Sequence, residues 1–306
     1  MWSERDTPLV SIITPSYQQG KFLQRTLESV AGQTYPQIEH IVMDGGSTDG
    51  SVDLLRAFAA SQPHGRFQWV SEPDQGQADA INKGLGRTNG RILAYLNSDD
   101  LYAPDAVEKA VTYLLQHPDV YLVHGRGCHI DVHDQRLDPY PSKPCDYAGL
   151  GTYCFICQPT AFWRREASDA IGTFDTTLQY GLDYDYWIRL SKRFALGFLE
   201  AELAYTRLHQ DAKTVGQREA MHREILRVVK HHYGRVSYHW IYAAANAKSW
   251  MERLRSGNRW VRWVYPPVFG AASAVLYILW NRRLPVRMLQ HVRPGIARVG
   301  KAQIFE

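Results

Sequence analysis

The sequence contains little cysteine. Four cysteines stand in 306 residues, at positions 128, 145, 154 and 157. So few cysteines fit a reducing compartment rather than a fold held together by disulfides. Cys154 and Cys157 have the spacing of a redox or zinc pair, but no second such pair accompanies them. Two interpretations stay open for the pair: a metal or redox site, and buried free thiols.

The hydrophobic pattern of the sequence also predicts neither a secretory signal peptide nor a membrane-spanning helix of full length. The chain opens on the polar segment Met1-Trp-Ser-Glu-Arg-Asp6, so we expect no signal peptide. One uncharged stretch, Trp263–Trp280, has 18 residues and includes Pro266-Pro267, whereas a spanning helix needs about 20. Arginines flank it on both sides, at positions 259, 262, 282 and 283. We expect an interfacial helix on an anionic leaflet, with burial against the rest of the protein and a true span as alternatives.

Charge is unevenly distributed along the chain. Residues 215–306 carry 16 Lys and Arg against 4 Glu, while residues 1–214 carry 19 basic and 27 acidic residues. A basic tail on an acidic body indicates that the tail faces something anionic. The tail has no recognised RNA- or DNA-binding motif, so we expect no nucleic-acid partner.

Strand and helix signals alternate through the first hundred residues. Apolar runs predict strands at 9–13, 38–43, 67–70 and 92–96, with helices at 22–30, 51–60 and 78–84 between them. Further along, helices are predicted at 106–116 and 183–192, strands at 120–123, 160–163 and 199–205, and helical structure from 217 onward. Repeated strand-helix units predict an α/β fold with a mainly parallel sheet and right-handed crossovers. Polar residues after the strands should then meet at one edge of the sheet: Ser16, Asp44, Asp74, Asp99 and Asp100.

Two adjacent carboxylates follow the fourth predicted strand. The apolar run Ile92–Leu96 ends in Asn97-Ser-Asp-Asp100. Neighbouring like charges repel, and a divalent cation that holds a substrate's phosphates would compensate them. The alternative is a solvated turn in which Asp100 or Asp105 caps the helix after Pro104.

Four motifs carry a resemblance to a known family over roughly residues 8–210. They are Ser11-Ile-Ile-Thr-Pro-Ser-Tyr17, Ile41-Val-Met-Asp-Gly-Gly-Ser-Thr-Asp-Gly50, Leu96-Asn-Ser-Asp-Asp100 and Gly181-Leu-Asp-Tyr-Asp-Tyr-Trp-Ile-Arg189. Because it contains these four motifs in this order, the chain resembles the inverting family 2 glycosyltransferases. The resemblance implies the GT-A fold, a Rossmann-like and mainly parallel α/β sheet with helices on both faces, here followed by a helical basic C-terminal extension. It divides the chain into a nucleotide-sugar-binding half at 1–110, an acceptor-binding half at 111–214 and the basic region at 215–306.

By this resemblance, a set of residues from the first three loops contacts the donor: Thr14, Ser16, Tyr17, Asp44, Asp74, Asp79, Asn82 and Lys83. A carboxylate suits Asp44, because it accepts from a base N–H or a ribose hydroxyl. Its alternative is an Asx-turn at the Gly-Gly corner. Asp49 fits a helix cap better, and Asp74 and Asp79 have turn and helix-start roles as alternatives. Many relatives carry a second Asp where this chain has Gly45, and an Arg where it has Ile81.

The resemblance also assigns the metal and the catalytic base. Asp100 would bind Mg²⁺ or Mn²⁺, Asp99 would face the donor sugar, and His209 would complete the ion's shell; a surface histidine is the alternative for His209. Asp183 aligns with the base that deprotonates the acceptor hydroxyl, although the acidic residue that usually precedes it is Leu182 here. The apolar neighbour would raise the pKa of Asp183 by desolvation. Asp185 has two readings, a helix N-terminal acid and the base itself.

The remaining residues singled out in this half have structural alternatives. Trp187 and Arg189 stand at helical spacing and fit packing and a solvated face. Gln158 and Trp163 lie where the family meets acceptors, with core packing as the alternative.

The sequence therefore predicts an enzyme that moves a sugar from a nucleoside-diphosphate donor to a hydroxyl. Family habit and the basic tail point to a glycan or lipid-linked acceptor in cell-surface polysaccharide synthesis, at the cytoplasmic face of the plasma membrane. Two alternatives are a non-catalytic nucleotide-sugar-binding module and a nucleotidyltransferase. The latter usually has a glycine-rich basic loop after its first strand, whereas Thr14–Gly20 has one glycine and no basic residue. The donor's base and sugar stay open.

Overall fold

The computed structural model describes residues 7–63, 65–209, 217–247, 259–283 and 285. The chain forms two compact units. The sheet unit comprises residues 7–147 and 154–209, and the helical unit comprises residues 148–153 together with the described residues after 216.

One mixed sheet runs through the sheet unit. Its strands are β1 (Val10–Ser16), β2 (Ile38–Asp44), β3 (Phe67–Ser71), β4 (Ile92–Tyr95), β5 (Leu101–Tyr102), β6 (Val120–Ile130), β7 (Arg136–Pro139), β8 (Phe162–Arg164) and β9 (Ala195–Arg207). The order is β3-β2-β1-β4-β8-β6-β9-β5, and β7 pairs with β6. The first four strands are parallel, whereas β8 is antiparallel to both β4 and β6. The expectation of parallel pairing is thus confirmed for the first half. Beyond it the sheet is mixed, since β8 is antiparallel to its neighbours and β6 pairs with β9 in parallel.

The helices of the sheet unit are α1 (Gly20–Ala31), α2 (Ser51–Ser61), α3 (Gln77–Leu85), α4 (Ala106–Gln116), α6 (Arg165–Ile171) and α7 (Leu182–Ser191), and the short helix α5 covers Tyr147–Leu150. A 3-10 turn occupies Gln158–Thr160. The helical unit contains α8 (Arg218–Tyr233), α9 (Tyr238–Asn246) and α10 (Arg259–Asn281).

Helices cover both faces of the parallel strands, because successive residues of β2 pack against helices on opposite faces of the sheet. Val42 packs with Leu23 of α1 and Leu55 of α2, whereas its neighbours in β2 pack with Ala80 of α3. Each fully buried leucine of this kind stabilises the fold by about 1.5–3 kcal/mol. Helix α3 approaches β1 closely because Gly84 has no side chain: a Cβ there would lie 2.5 Å from Ile13 Cγ2.

The predicted elements of the sheet unit are found near the predicted positions, although β6 and β9 are longer than predicted and Thr160, expected in a strand, ends the 3-10 turn. Residues 14–16, expected in a turn, extend β1, since their partners in β2 continue the parallel ladder to Asp44. The capping interpretation for Asp100 and Asp105 is wrong: helix α4 has no side-chain cap, Asp105 pairs with Lys109 at 2.7 Å, and Asp100 accepts from a backbone N–H of β9.

Helices α9 and α10 of the helical unit pack through aromatic pairs. Tyr238 stacks on Tyr277 with ring centroids 4.9 Å apart, and Tyr242 lies 5.7 Å from Phe269. Helix α10 is 23 residues long and has Pro266 and Pro267 within it. Within the ranges that the structure describes, none of the helices is long and apolar enough to cross a bilayer.

Candidate active site

The corner after β2 is built around the Asp44 carboxylate. Its Oδ2 accepts from Gly46 N at 3.1 Å, Ser47 N at 2.9 Å and Ser71 Oγ at 2.6 Å, and its Oδ1 accepts from Ser47 Oγ at 2.6 Å. The side chain is 2% exposed. Asp44 therefore forms the Asx-type turn that organises the Gly-Gly corner, which was the alternative to nucleoside contact.

Three groups surround the same corner. Ser16 ends β1, and its buried hydroxyl makes no hydrogen bond to a described residue. The Tyr17 ring is 60% exposed. A Cβ on Gly45 would lie 2.7 Å from Asp74 Oδ2 and 3.2 Å from Tyr17 Cδ2, so the Asp74 carboxylate fills the space that a side chain at 45 would need. Because a buried hydroxyl without a partner is costly, Ser16 is well suited to meet a ligand here.

Asp49 holds the first backbone N–H of two helices. Its Oδ2 accepts from Gly20 N at 2.7 Å, and its Oδ1 accepts from Ser51 N at 3.1 Å and Ser51 Oγ at 2.6 Å. Although some burial opposes it, these bonds lower the pKa of Asp49. The expected helix-start role of Asp49 is thus what its contacts show.

The third loop and α3 contain a local polar cluster. Asp74 Oδ1 accepts from Gly76 N at 2.8 Å, and Asp79 Oδ2 accepts from Gln75 N at 3.0 Å. Lys83 Nζ lies 3.2 Å from a Glu72 carboxylate oxygen and 3.4 Å from Asp79 Oδ2. These contacts hold the loop against the helix, and Asp79 and Lys83 form an ion pair with each other.

Asn82 and Thr14 make structural contacts. Asn82 forms a two-way bond with the Phe174 backbone, donating to its oxygen and accepting from its nitrogen, both at 2.9 Å. Thr14 is fully buried, and its hydroxyl lies 2.9 Å from His40 Nε2. Burial lowers the pKa of His40 to about 3, so that ring is neutral. The donor-contact prediction for Thr14 and Asn82 gains no support from this geometry.

The loop after β4 is tied to the end of β9. Arg207 N donates to Asp100 Oδ1 at 2.9 Å, and Arg207 Nε donates to the Asp99 carbonyl at 2.8 Å. Asn97 Nδ2 donates to Asp100 Oδ2 at 3.1 Å. The Arg207 guanidinium is buried over the Phe22 ring, with its carbon 4.8 Å from the ring centroid. Sequence reasoning missed Arg207; a charged residue interrupting the end of a buried strand just before His209 was the available signal.

Asp99, Asp100 and His209 form the candidate metal site. His209 Nε2 lies 3.0 Å from Asp99 Oδ2. Burial, with the Asp99 charge as the next cause, raises the pKa of Asp100 well above its usual range. Within the described ranges, no three His, Cys, Asp or Glu side chains are already arranged to hold an ion. Two carboxylates and an imidazole nevertheless fit Mg²⁺ or Mn²⁺, since such ions take one or two protein carboxylates and complete their shells with phosphate oxygen and water.

Asp183 lies in the first turn of α7 with part of its surface accessible. Burial raises its pKa to about 6, while the Tyr184 backbone N–H, 2.7 Å from Oδ1, acts in the opposite direction. Asp185 Oδ2 is instead paired with Arg189 Nε at 2.7 Å. The pairing supports the helix-terminal interpretation of Asp185. The raised pKa of Asp183 fits the prediction that this residue is the base.

The charges of Asp100 and Asp183 act on the same buried groups. Burial raises the pKa of Tyr95 well above its usual range, and the Asp183 and Asp100 charges add to the rise. The Cys157 thiol pKa is likewise raised by burial and by both carboxylates. Tyr95 ends β4 and Cys157 precedes the 3-10 turn. The two carboxylates, 83 positions apart in the sequence, therefore share one neighbourhood.

The remaining side chains from the acceptor half are structural. Trp163 and Trp187 are fully buried, with ring centroids 5.4 Å apart, so both are core residues. All four cysteines are free. Burial raises the pKa of both Cys154 and Cys157 well above the usual range, which fits buried thiols rather than a redox pair.

The chain is similar to several known proteins in sequence and in fold. The chondroitin synthase of Escherichia coli is 28% identical over 185 residues, which cover 60% of this chain and 27% of that protein. The chain spans 27%, 43% and 65% of the lengths of three curated relatives. S. aureus TarS 1-349 in complex with UDP-GlcNAc has a TM-score of 0.62 at 14% identity, covering 95% of this chain and 92% of that one. The mannosyltransferase PcManGT from Pyrobaculum calidifontis, in complex with GDP-Man and Mn²⁺, has a TM-score of 0.60 at 20% identity, covering 96% and 87%.

These structural likenesses establish the fold of the chain as GT-A. The family model described as "Glycosyl transferase family 2" matches residues 11–172, more than half of the sequence. The chain belongs to glycosyl transferase family 2.

Proposed function

We propose that this protein transfers a sugar from a nucleoside-diphosphate donor to an acceptor hydroxyl with inversion of the anomeric centre. The observation that carries the proposal is the shared neighbourhood of Asp100 and Asp183, whose charges both act on Tyr95 and Cys157. One carboxylate suits the diphosphate side of a reaction centre, and the other suits the acceptor side.

Asp183 acts as the general base. With a pKa of about 6, its carboxylate is largely ionised at neutral pH and is still basic enough to accept a proton. It takes the proton of the acceptor hydroxyl while that oxygen forms a bond to the anomeric carbon. The bond between that carbon and the diphosphate oxygen breaks, and the electron pair leaves with the nucleoside diphosphate.

The corner around Ser16, Tyr17, Asp44 and Asp74 holds the nucleoside, with Asp44 shaping the loop and Ser16 and Asp74 presenting polar atoms. Asp100 and His209 would hold Mg²⁺ or Mn²⁺, with Asp99 beside His209 and facing the sugar. When bound, the ion would neutralise charge on the departing diphosphate. The structural neighbour with GDP-Man and Mn²⁺ and the one with UDP-GlcNAc support a nucleotide-sugar donor and a divalent ion.

The acceptor is a glycan or lipid-linked glycan of a cell-surface polysaccharide. Support comes from the similarity to a chondroitin synthase, an enzyme named for a sugar polymer, and from the basic C-terminal region. We place the reaction at the cytoplasmic face of the plasma membrane for the same reasons.

Helix α10 contacts that membrane peripherally. Val275, Ile278 and Leu279 are 55%, 41% and 68% exposed and recur at helical spacing along one face. Arg282 and Arg283, both exposed, follow at the end of the same helix. Apolar side chains beside arginines match the boundary between acyl chains and anionic headgroups.

A donor panel tests the transferase proposal. UDP-, GDP- and dTDP-sugars are screened with Mn²⁺ by thermal shift, because a ligand raises Tm only if it binds the folded state. The donor that binds is then incubated with lipid-linked glycan acceptors, and the anomeric configuration of the product is read by NMR. We expect an inverted glycoside and free nucleoside diphosphate. Binding without turnover on any acceptor would favour the binding-module alternative, and release of sugar 1-phosphate in place of nucleoside diphosphate would favour transfer of a nucleotidyl group.

A further inference from the structure

A chain of side-chain amides connects α3, the loop after β4 and the 3-10 turn before β8. Gln77 Nε2 donates to Asn97 Oδ1 at 2.7 Å. Asn97 Nδ2 donates to Gln158 Oε1 at 3.1 Å and to Asp100 Oδ2 at 3.1 Å. Gln158 Nε2 donates to the Tyr95 carbonyl at 2.8 Å. The three amides are partly buried, so their bonds compete little with bulk water.

The direction of this chain is fixed at its Tyr95 end. A backbone carbonyl only accepts, so Gln158 must turn its NH₂ group toward Tyr95 and its oxygen toward Asn97. Asn97 must then direct its NH₂ group at Gln158 and at Asp100. With the opposite amide orientation, Asn97 would place an oxygen against the Asp100 carboxylate, and two acceptors would face each other.

We propose that Gln158 is a positioning residue for Asp100, which it orients through the Asn97 amide. The inference rests on the proposed function, in which Asp100 binds the divalent ion. Asp100 Oδ1 is already held by Arg207 N, so the bond from Asn97 to Oδ2 fixes the rotation of the carboxylate. Gln158 contacts neither of the carboxylates in the described hydrogen bonds, and its influence on the ion passes through one neighbour.

The test is a double-mutant cycle on ion affinity. Mn²⁺ is titrated into the full-length protein with UDP, or with the diphosphate of whichever base the donor panel selects, and free Mn²⁺ is counted from its EPR signal. The variants are Gln158→Leu, Asn97→Ala and the double variant. Gln33→Leu is the matched control, because Gln33 also bridges backbone groups, from Ser29 and Ala103 to Val107, outside this chain of amides.

We expect Gln158→Leu to weaken Mn²⁺ binding about three- to ten-fold, the order of a weakened hydrogen bond to a charged group. In the Asn97→Ala background the same substitution should change Mn²⁺ affinity less than two-fold, because the two residues act as one unit. Gln33→Leu should lower Tm without changing Mn²⁺ affinity, which separates positioning from loss of stability.

Three outcomes overturn the inference. Unchanged Mn²⁺ affinity in folded Gln158→Leu shows that Gln158 does not orient the site. An undiminished loss in the Asn97→Ala background shows that Gln158 acts directly. Wild-type protein that binds a donor and transfers its sugar without binding Mn²⁺ removes the metal assignment, and this inference with it. Wild-type protein that binds Mn²⁺ with the diphosphate but never transfers a sugar defeats the proposed function and leaves the positioning role to be decided by the cycle.

Discussion

The imidazole of His209 lies 3.0 Å from the Asp99 carboxylate, joining the end of the last strand to the loop after β4. The His209 ring is largely buried and rests 4.9 Å from the Phe22 ring. A histidine fixed in this way is not the mobile surface residue that its isolated position in the sequence also allowed. Its contact places an imidazole nitrogen beside the Asp99 carboxylate.

Asp100→Asn should abolish the Mn²⁺-dependent part of nucleoside-diphosphate binding, since the variant removes the charge that the ion compensates. We expect at least a ten-fold loss of affinity in the presence of Mn²⁺, measured by calorimetry, and little change without it. Asp105→Asn is the control, because Asp105 forms an exposed ion pair with Lys109 four positions further on. Equal titrations for wild type and Asp100→Asn would refute the metal role.

Asp183→Asn should reduce transfer by about 10²- to 10⁴-fold while leaving nucleotide affinity intact, as expected for loss of a general base. In wild type, kcat/KM should rise with pH and level off above a pKa of about 6, because the base acts in its ionised form. Asp185→Asn removes the pairing with Arg189 and should keep most of the activity. Full activity in Asp183→Asn, or the larger loss in Asp185→Asn, would move the base to another residue.

The Asp183→Asn substitution should also stabilise the protein at neutral pH. Burial raises the folded-state pKa of Asp183 to about 6, above its unfolded value of about 3.9. The favourable contribution of the protonated carboxyl is complete below about pH 4 and is lost as pH rises through about 6. Asp183→Asn should thus have a free energy of unfolding higher by about 1–3 kcal/mol at pH 8 and nearly unchanged at pH 4, measured in urea. A gain of equal size at both pH values would contradict this account.

Gly45→Ala should weaken donor binding by displacing the Asp74 carboxylate, which would lie 2.7 Å from the new Cβ. We expect about a ten-fold rise in the Kd of the nucleoside diphosphate with a small change in Tm, because the displaced group is a side chain near the surface. The control is Gly86→Ala at the end of α3, where φ is −64° and the nearest atom lies at 3.5 Å. Unaltered affinity in Gly45→Ala would remove this corner from the nucleoside site.

Val275→Glu combined with Leu279→Glu should abolish flotation with vesicles of phosphatidylglycerol, since both side chains belong to the exposed face of α10. Wild type should float with these vesicles and stay at the bottom with phosphatidylcholine alone. Leu137→Glu is the matched control, an exposed leucine of the sheet unit at 41% exposure. If the double variant floats as wild type does, the face of α10 has no part in membrane contact.

The sequence was informative about which strands form and where they end. Hydrophobic periodicity and turn residues are local properties, and they placed Asp44 and Asp100 at the same edge of the sheet. How a polar side chain is used depends on distant partners. The Asn82 amide is hydrogen-bonded to Phe174, and the Thr14 hydroxyl is hydrogen-bonded to His40. Neither partner is close in sequence to the residue that it binds.

Arg207 was missed for the same reason. Its bonds to the Asp99 carbonyl and to Asp100 connect positions more than a hundred residues apart, and no local pattern encodes them. Asp44 and Asp49 show the opposite case. Their turn and helix-start roles were visible as alternatives because those bonds are made within a few residues.

The crowding between Gly45 and Asp74 has an evolutionary consequence. The two positions compete for a single volume, so a relative with an aspartate at the first can keep a full-sized carboxylate at the second only by moving the third loop. A side chain at position 45 should therefore require a compensating replacement at position 74, and variants altered at one position alone should bind nucleoside diphosphates poorly.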